Sequence, residues 1–69
     1  MRLTARNQLN GTVASIEPGA VMTIVKVDLD GGQQITASVT KDAVEDLALH
    51  VGSSVVAVIK STDVMIGID

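Results

Sequence analysis

The strongest constraint on this chain is what its core cannot be built from: 69 residues contain no Phe, Tyr, Trp or Cys. Neither an aromatic cluster nor a disulfide can organise the interior. The apolar mass falls to eleven Val, six Ile and five Leu, and six Thr bring the β-branched residues to 23, a third of the chain. Such side chains lose rotamer freedom in helices and pack well on a pleated surface, which predicts an all-β fold.

A chain this short withdraws only about 60% of its unfolded surface from water when it folds. Disulfides and thiolate metal sites are excluded, and the single His50 cannot make a zinc site alone. Association with further copies is the remaining source of stability. No apolar run reaches the roughly 18 residues that span a bilayer, and Met1-Arg2-Leu3-Thr4 lacks the apolar stretch of a signal peptide. The expectation is a soluble, cytoplasmic, single domain over residues 1–69. A net charge of −3 with only five Lys and Arg argues against nucleic acid, and the missing aromatics remove a stacking platform.

Turn chemistry divides the chain. Glu17-Pro18-Gly19-Ala20 reads as a type II turn, and Asp28-Leu29-Asp30-Gly31-Gly32 carries an Asp-Gly hairpin signal. Strands are predicted over 7–16, 21–29 and 33–39. In the second, Val21, Thr23, Val25, Val27 and Leu29 share a face; in the third, Ile35, Ala37 and Val39 point inward. Thr40 is placed to cap a short helix over 41–48, with Asp42 in its first turn and Val44 and Leu47 toward the core. A fourth strand, 54–59, is apolar on both faces, as a strand meeting another subunit would be. A fifth is predicted at about 63–68, with Val64, Ile66 and Ile68 on one side. Five strands with a helix between the third and fourth is the order of an OB-type barrel.

Two polar clusters stand out, Thr4-Ala5-Arg6-Asn7-Gln8-Leu9 and Lys60-Ser61-Thr62-Asp63-Val64-Met65. Each sets a fixed cation beside hydroxyls. In a chain with so few cations, this suits a compact anion with several oxygens, which must find donors on several sides when it leaves water. Arg6 and Lys60 supply charge, Thr4, Thr40 and Ser61 supply hydroxyls, and the helix opening after Thr40 offers backbone N–H groups at Asp42 and Ala43. Charge-assisted bonds of about 1.5–3 kcal/mol each would suffice, in a handful, for micromolar binding. The same residues also read as strand-end charges in water, a helix cap and a turn.

Other residues have simpler readings. His50 is a solvated loop side chain, and Met22 and Met65 are packing residues. No nucleophile with a base and an orienting partner can be assembled, which points away from an enzyme.

Three stretches carry a more specific likeness: Ala5-Arg6-Asn7-Gln8-Leu9-Asn10-Gly11, Val44-Glu45-Asp46-Leu47, and Ala57 through Ile66, including Lys60-Ser61-Thr62-Asp63. On these the chain resembles the molbindins, the small molybdate-binding Mop proteins related to the TOBE domains of molybdate transport and regulatory proteins. The resemblance implies a five-stranded OB-like barrel assembled as a homohexamer, a trimer of dimers. It implies molybdate or tungstate, bound as an oxyanion without protein–metal bonds, in clefts between subunits. By position it assigns Thr4 and Arg6 of one chain and Thr40, Ala43, Lys60 and Ser61 of its neighbour. Thr4 and Ala43 stand where relatives commonly have Ser, so at Ala43 only the backbone N–H can serve. The implied role is molybdenum storage and homeostasis; the alternative is a detached regulatory TOBE-type module that senses molybdate for a transporter or transcription factor.

Overall fold

A computed structural model describes residues 1–69. Four antiparallel strands, β1 (Asn7–Pro18), β2 (Met22–Leu29), β3 (Gln34–Thr40) and β4 (Ser54–Ile59), form one sheet in the order β3-β2-β1-β4. A single helical turn and a half, α1 (Lys41–Asp46), joins β3 to β4. The all-β class and the place of the helix match the sequence reading.

β1 is the spine, pairing with β2 from Gly11 to Pro18 and with β4 from Asn7 to Thr12. Two features curl it. Gly11 is buried between both neighbours, and a Cβ there would lie 2.6 Å from the Asp28 carbonyl oxygen and 2.7 Å from Val27 Cγ1; only glycine allows so close a backbone approach. The register then slips by one residue between Val13 and Ser15, a bulge at Ala14 that bends the strand and increases its twist. The curled sheet encloses Val13, Val25 and Val27, with Ile16, Leu29, Ile35, Val39, Val44 and Val55 packed against them.

The β2–β3 hairpin forms where Asp-Gly predicts it. Gly32 N–H donates to the Leu29 carbonyl at 2.9 Å and Leu29 N–H to the Gln33 carbonyl at 2.7 Å, with Gly32 at φ +95°. This is a three-residue loop whose left-handed position requires glycine. The β1–β2 reversal differs from the type II turn read at Glu17–Ala20. Pro18 still pairs with Thr23, and the chain turns over Gly19–Met22, closed by Gly19 N–H to the Met22 carbonyl at 2.9 Å. Pro18, lacking an N–H, is tolerated at a strand end. Gly19 serves by its small size, since a Cβ would strike the Met22 carbonyl.

α1 is shorter than 41–48. It closes with Leu49 N–H on the Val44 carbonyl and Ala48 N–H on the Glu45 carbonyl, both 3.0 Å, with Ala48 at φ +50°. That is a Schellman ending with alanine in the position glycine prefers. Leu47 lines an open apolar groove and stays 70% exposed, rather than being packed into the core as expected; Val44 does pack there.

The expected five-stranded barrel is corrected to an open, four-stranded half-barrel. Residues 61–63 form a 3-10 turn and 64–69 have no regular structure. A strand exists only through its ladder partners, and in one chain the run 64–68 has none. Ile66 and Ile68 are 87% and 95% exposed, and Met65, expected to pack, is 92% exposed. The outer edges of β3 and β4 stay unpaired, leaving an apolar groove of about 640 Å³ floored by Val27, Ile35, Val55 and Ile59.

Candidate functional site

The β1–β4 register ends with Asn7 opposite Ile59. The next residues outward along the two strands are Arg6 and Lys60, so clusters 54 positions apart in sequence emerge at one rim of the sheet. Thr4, Arg6, Lys60 and Ser61 are all exposed there. Neither cation has a hydrogen-bonded partner in the chain. Like charges on neighbouring strands repel, and this rim holds two without an intervening carboxylate bond, an arrangement favourable to an incoming anion.

The Lys60 side of the rim is shaped by the 3-10 turn over Ser61–Asp63. Lys60 is its extended N-cap, at φ −63° and ψ 134°, and its carbonyl accepts the Asp63 N–H at 2.9 Å. The amides of Ser61 and Thr62 open that turn and have no acceptor in the chain, as the first donors of a helical turn do not. Sequence reading identified the Lys60 and Ser61 side chains and missed these two amides. The signal was the Ser-Thr-Asp run, whose side chains favour turns.

Two side-chain amides brace the same rim and also escaped the sequence reading. Asn7 Nδ2 donates to the Ile59 carbonyl at 3.2 Å, and Gln8 Nε2 donates to the Ala5 carbonyl at 2.9 Å. Both residues lie inside the Arg6-Asn7-Gln8 motif, where polar side chains next to a strand end were the available clue.

Thr40, the last residue of β3, and Ala43, in α1, lie at the opposite end of the sheet from this rim. Thr40 pairs with Met22 at the end of β2 nearest the β1–β2 turn, and no hydrogen bond of the chain links it to the Arg6–Lys60 rim. Its cap role is as expected: extended at φ −70° and ψ 149°, it accepts the Ala43 N–H on Oγ1 at 3.1 Å. The amide at Ala43 is thus engaged, which corrects its reading as a free donor. Lys41 N–H is bonded to the Val21 carbonyl, so of the first-turn amides Asp42 alone keeps an open N–H. The Thr40 hydroxyl hydrogen remains available to a further acceptor.

His50 is exposed, with Nδ1 3.1 Å from the Val51 carbonyl, and no cluster of three potential metal-ligating side chains exists. No helix is long and apolar enough to cross a membrane.

Residues 3–66 match the TOBE domain family. Over 69 residues, the whole of both chains, the sequence is 46% identical to a probable molybdenum-pterin-binding protein of Haemophilus influenzae. Among solved structures it is similar to MopII from Clostridium pasteurianum, with a TM-score of 0.92 and 42% identity over 97% of this chain and 100% of that one. It is also similar to the cytoplasmic molybdate-binding protein ModG with molybdate bound, with a TM-score of 0.84 and 54% identity over 88% of this chain and 43% of that one.

Proposed function

The chain belongs to the TOBE domain family, and from that membership we propose that it binds molybdate or tungstate reversibly as an intact oxyanion, for storage and homeostasis in the cytoplasm. It is a binding protein and not an enzyme, as the names of its relatives indicate. The working form is a homohexamer, a trimer of dimers, with anions in clefts between subunits. Thr4 and Arg6 of one subunit face Lys60 and Ser61 of the next; Thr40 and Ala43, which stand at the far end of the sheet from that rim within a chain, are brought in by a different copy from the one that supplies Lys60. Arg6 and Lys60 neutralise the dianion, and Ser61 and Thr4 donate hydroxyl hydrogens. Ala43 acts through Thr40: its amide holds the Thr40 oxygen, which turns that hydroxyl hydrogen outward.

The observation that carries this reading is the Asn7–Ile59 register, which brings the exposed and unpartnered Arg6 and Lys60 to one rim. A twofold contact at such a rim sets each copy's Arg6 stretch against the other's Lys60 stretch. The open apolar groove and the bare run 64–68 support assembly, because a second copy's run laid on a free sheet edge would complete the barrel.

Calorimetric titration with sodium molybdate tests the site. Lys60→Ala is expected to weaken binding at least about tenfold, the loss of one charge-assisted bond, while the hexamer persists. Unchanged affinity would remove Lys60 from the site. Native mass spectrometry of the same samples counts subunits and anions together, and a single-copy species indifferent to molybdate would overturn the reading.

A further inference from the structure

We infer that Asn7 and Gln8 are positioning residues whose side-chain amides hold the backbone N–H groups of Lys60 and Arg6 as donors to the oxyanion, an inference that rests on the site proposed above. A trans peptide unit is planar, with its C=O and N–H pointing in opposite directions. Whatever fixes the carbonyl of one residue therefore aims the amide of the next. Asn7 Nδ2 holds the Ile59 carbonyl at 3.2 Å, and the other end of that peptide is the Lys60 N–H. Gln8 Nε2 holds the Ala5 carbonyl at 2.9 Å, and the other end of that peptide is the Arg6 N–H. Neither N–H has an acceptor within the chain, although backbone donors are bonded throughout the adjoining ladder.

The two clamps act where the regular ladder stops. The Ala5–Arg6 peptide lies beyond the last ladder pair and has the Gln8 bond alone, whereas the Ile59 carbonyl ends the ladder opposite Asn7 and the Asn7 side chain adds a second hold on it. Asn7 is half-buried and reaches across 52 residues of sequence, tying one rim arm to the other. Gln8 is exposed and works within its own arm, folding residues 5–8 into a closed bend. Together they fix the direction of one amide on each arm. The Ile59 carbonyl points toward the Asn7 arm, so the Lys60 N–H points away from it, outward from the chain. An oxyanion in the intersubunit cleft would then meet a side-chain cation and a pre-aimed N–H from the same residue, Arg6 of one chain and Lys60 of the facing one, which lowers the ordering cost of binding.

The test compares Asn7→Leu and Gln8→Met, near-isosteric and uncharged, with Lys60→Ala and the parent chain, reading sodium molybdate affinity by calorimetry and subunit number by native mass spectrometry. Each amide-deleting variant is expected to bind about tenfold more weakly, the effect of one misdirected hydrogen bond, with subunit number unchanged. Asn7→Gln, which keeps an amide donor, should return the affinity to within about threefold of the parent. If Lys60→Ala loses binding while Asn7→Leu and Gln8→Met bind as the parent does, the positioning role is overturned and the site stands. If Lys60→Ala binds as the parent does, it is the site itself that fails. Should Asn7→Leu disassemble, Gln8→Met decides, because its bond is local and exposed; parental affinity there overturns the inference.

Discussion

Thr23→Val should make this protein more stable. Thr23 is 1% exposed in the middle of the sheet, and its Oγ1 is the one buried side-chain oxygen or nitrogen without a hydrogen-bond partner. An unpartnered buried hydroxyl costs about 1–3 kcal/mol. Valine has nearly the same shape and the same preference for strands, so the substitution opens no cavity, and it turns a stranded polar atom into a methyl facing Val25 and its neighbours. The expected gain is about 1–2 kcal/mol, which for a chain of this size corresponds to roughly 4–15 °C in Tm. The chain has no aromatic residue, so unfolding is best followed by far-ultraviolet circular dichroism and scanning calorimetry. Parent and variant must be compared at one protein concentration, because assembly raises apparent stability by mass action. Thr23→Ala, which leaves a cavity, should fall below both. A Thr23→Val variant melting several degrees lower than the parent would refute the reasoning, since it would mean that the hydroxyl is satisfied by a buried water.

Two further outcomes follow from the backbone. Ala48→Gly should raise stability by about 0.5–1 kcal/mol in scanning calorimetry: the left-handed conformation costs alanine about 1–2 kcal/mol, partly offset by the greater unfolded-state freedom of glycine. A lower Tm would show that the Schellman ending carries no strain. Removing residues 64–69 should leave the four-stranded circular dichroism spectrum but shift the sedimenting species to fewer subunits, since the run removed holds Ile66 and Ile68 bare in the single chain. Sedimentation identical to the parent's would exclude that run from the interface.

Where side-chain alternation and local turn chemistry govern, the fold was legible. Thr23, Val25, Val27 and Leu29 share the inner face of β2, and Ile35, Ala37 and Val39 that of β3, as period-two patterning requires, whereas Val21, expected on the same face, precedes the strand and is 70% exposed. Thr40 caps α1 because a hydroxyl before a helix start satisfies a free amide. The failures arise where the outcome depends on distant or absent partners. The segment 63–68 has a strand's pattern but no ladder within one chain, and Leu47 has a helix's spacing but lines a groove that nothing covers in one chain. At the candidate site, Arg6 and Lys60 were legible as rare cations flanked by hydroxyls. Asn7 and Gln8 were not, because the value of an amide side chain lies in the carbonyl it reaches, and that carbonyl is set by cross-strand register.

The bulge at Ala14 makes β1 intolerant of insertions and deletions. Inward positions are odd-numbered through Val13 and even-numbered at Ile16, because the extra residue switches parity midway along the strand. Losing or gaining one residue on either side would turn Ile16, or Gly11 and Val13, out to solvent. Length can vary at little cost at the tip of the β2–β3 hairpin, where nothing lies within 4 Å of a Cβ added at Gly31. Loop grafts and sequence tags that must remain internal to the chain belong at that tip.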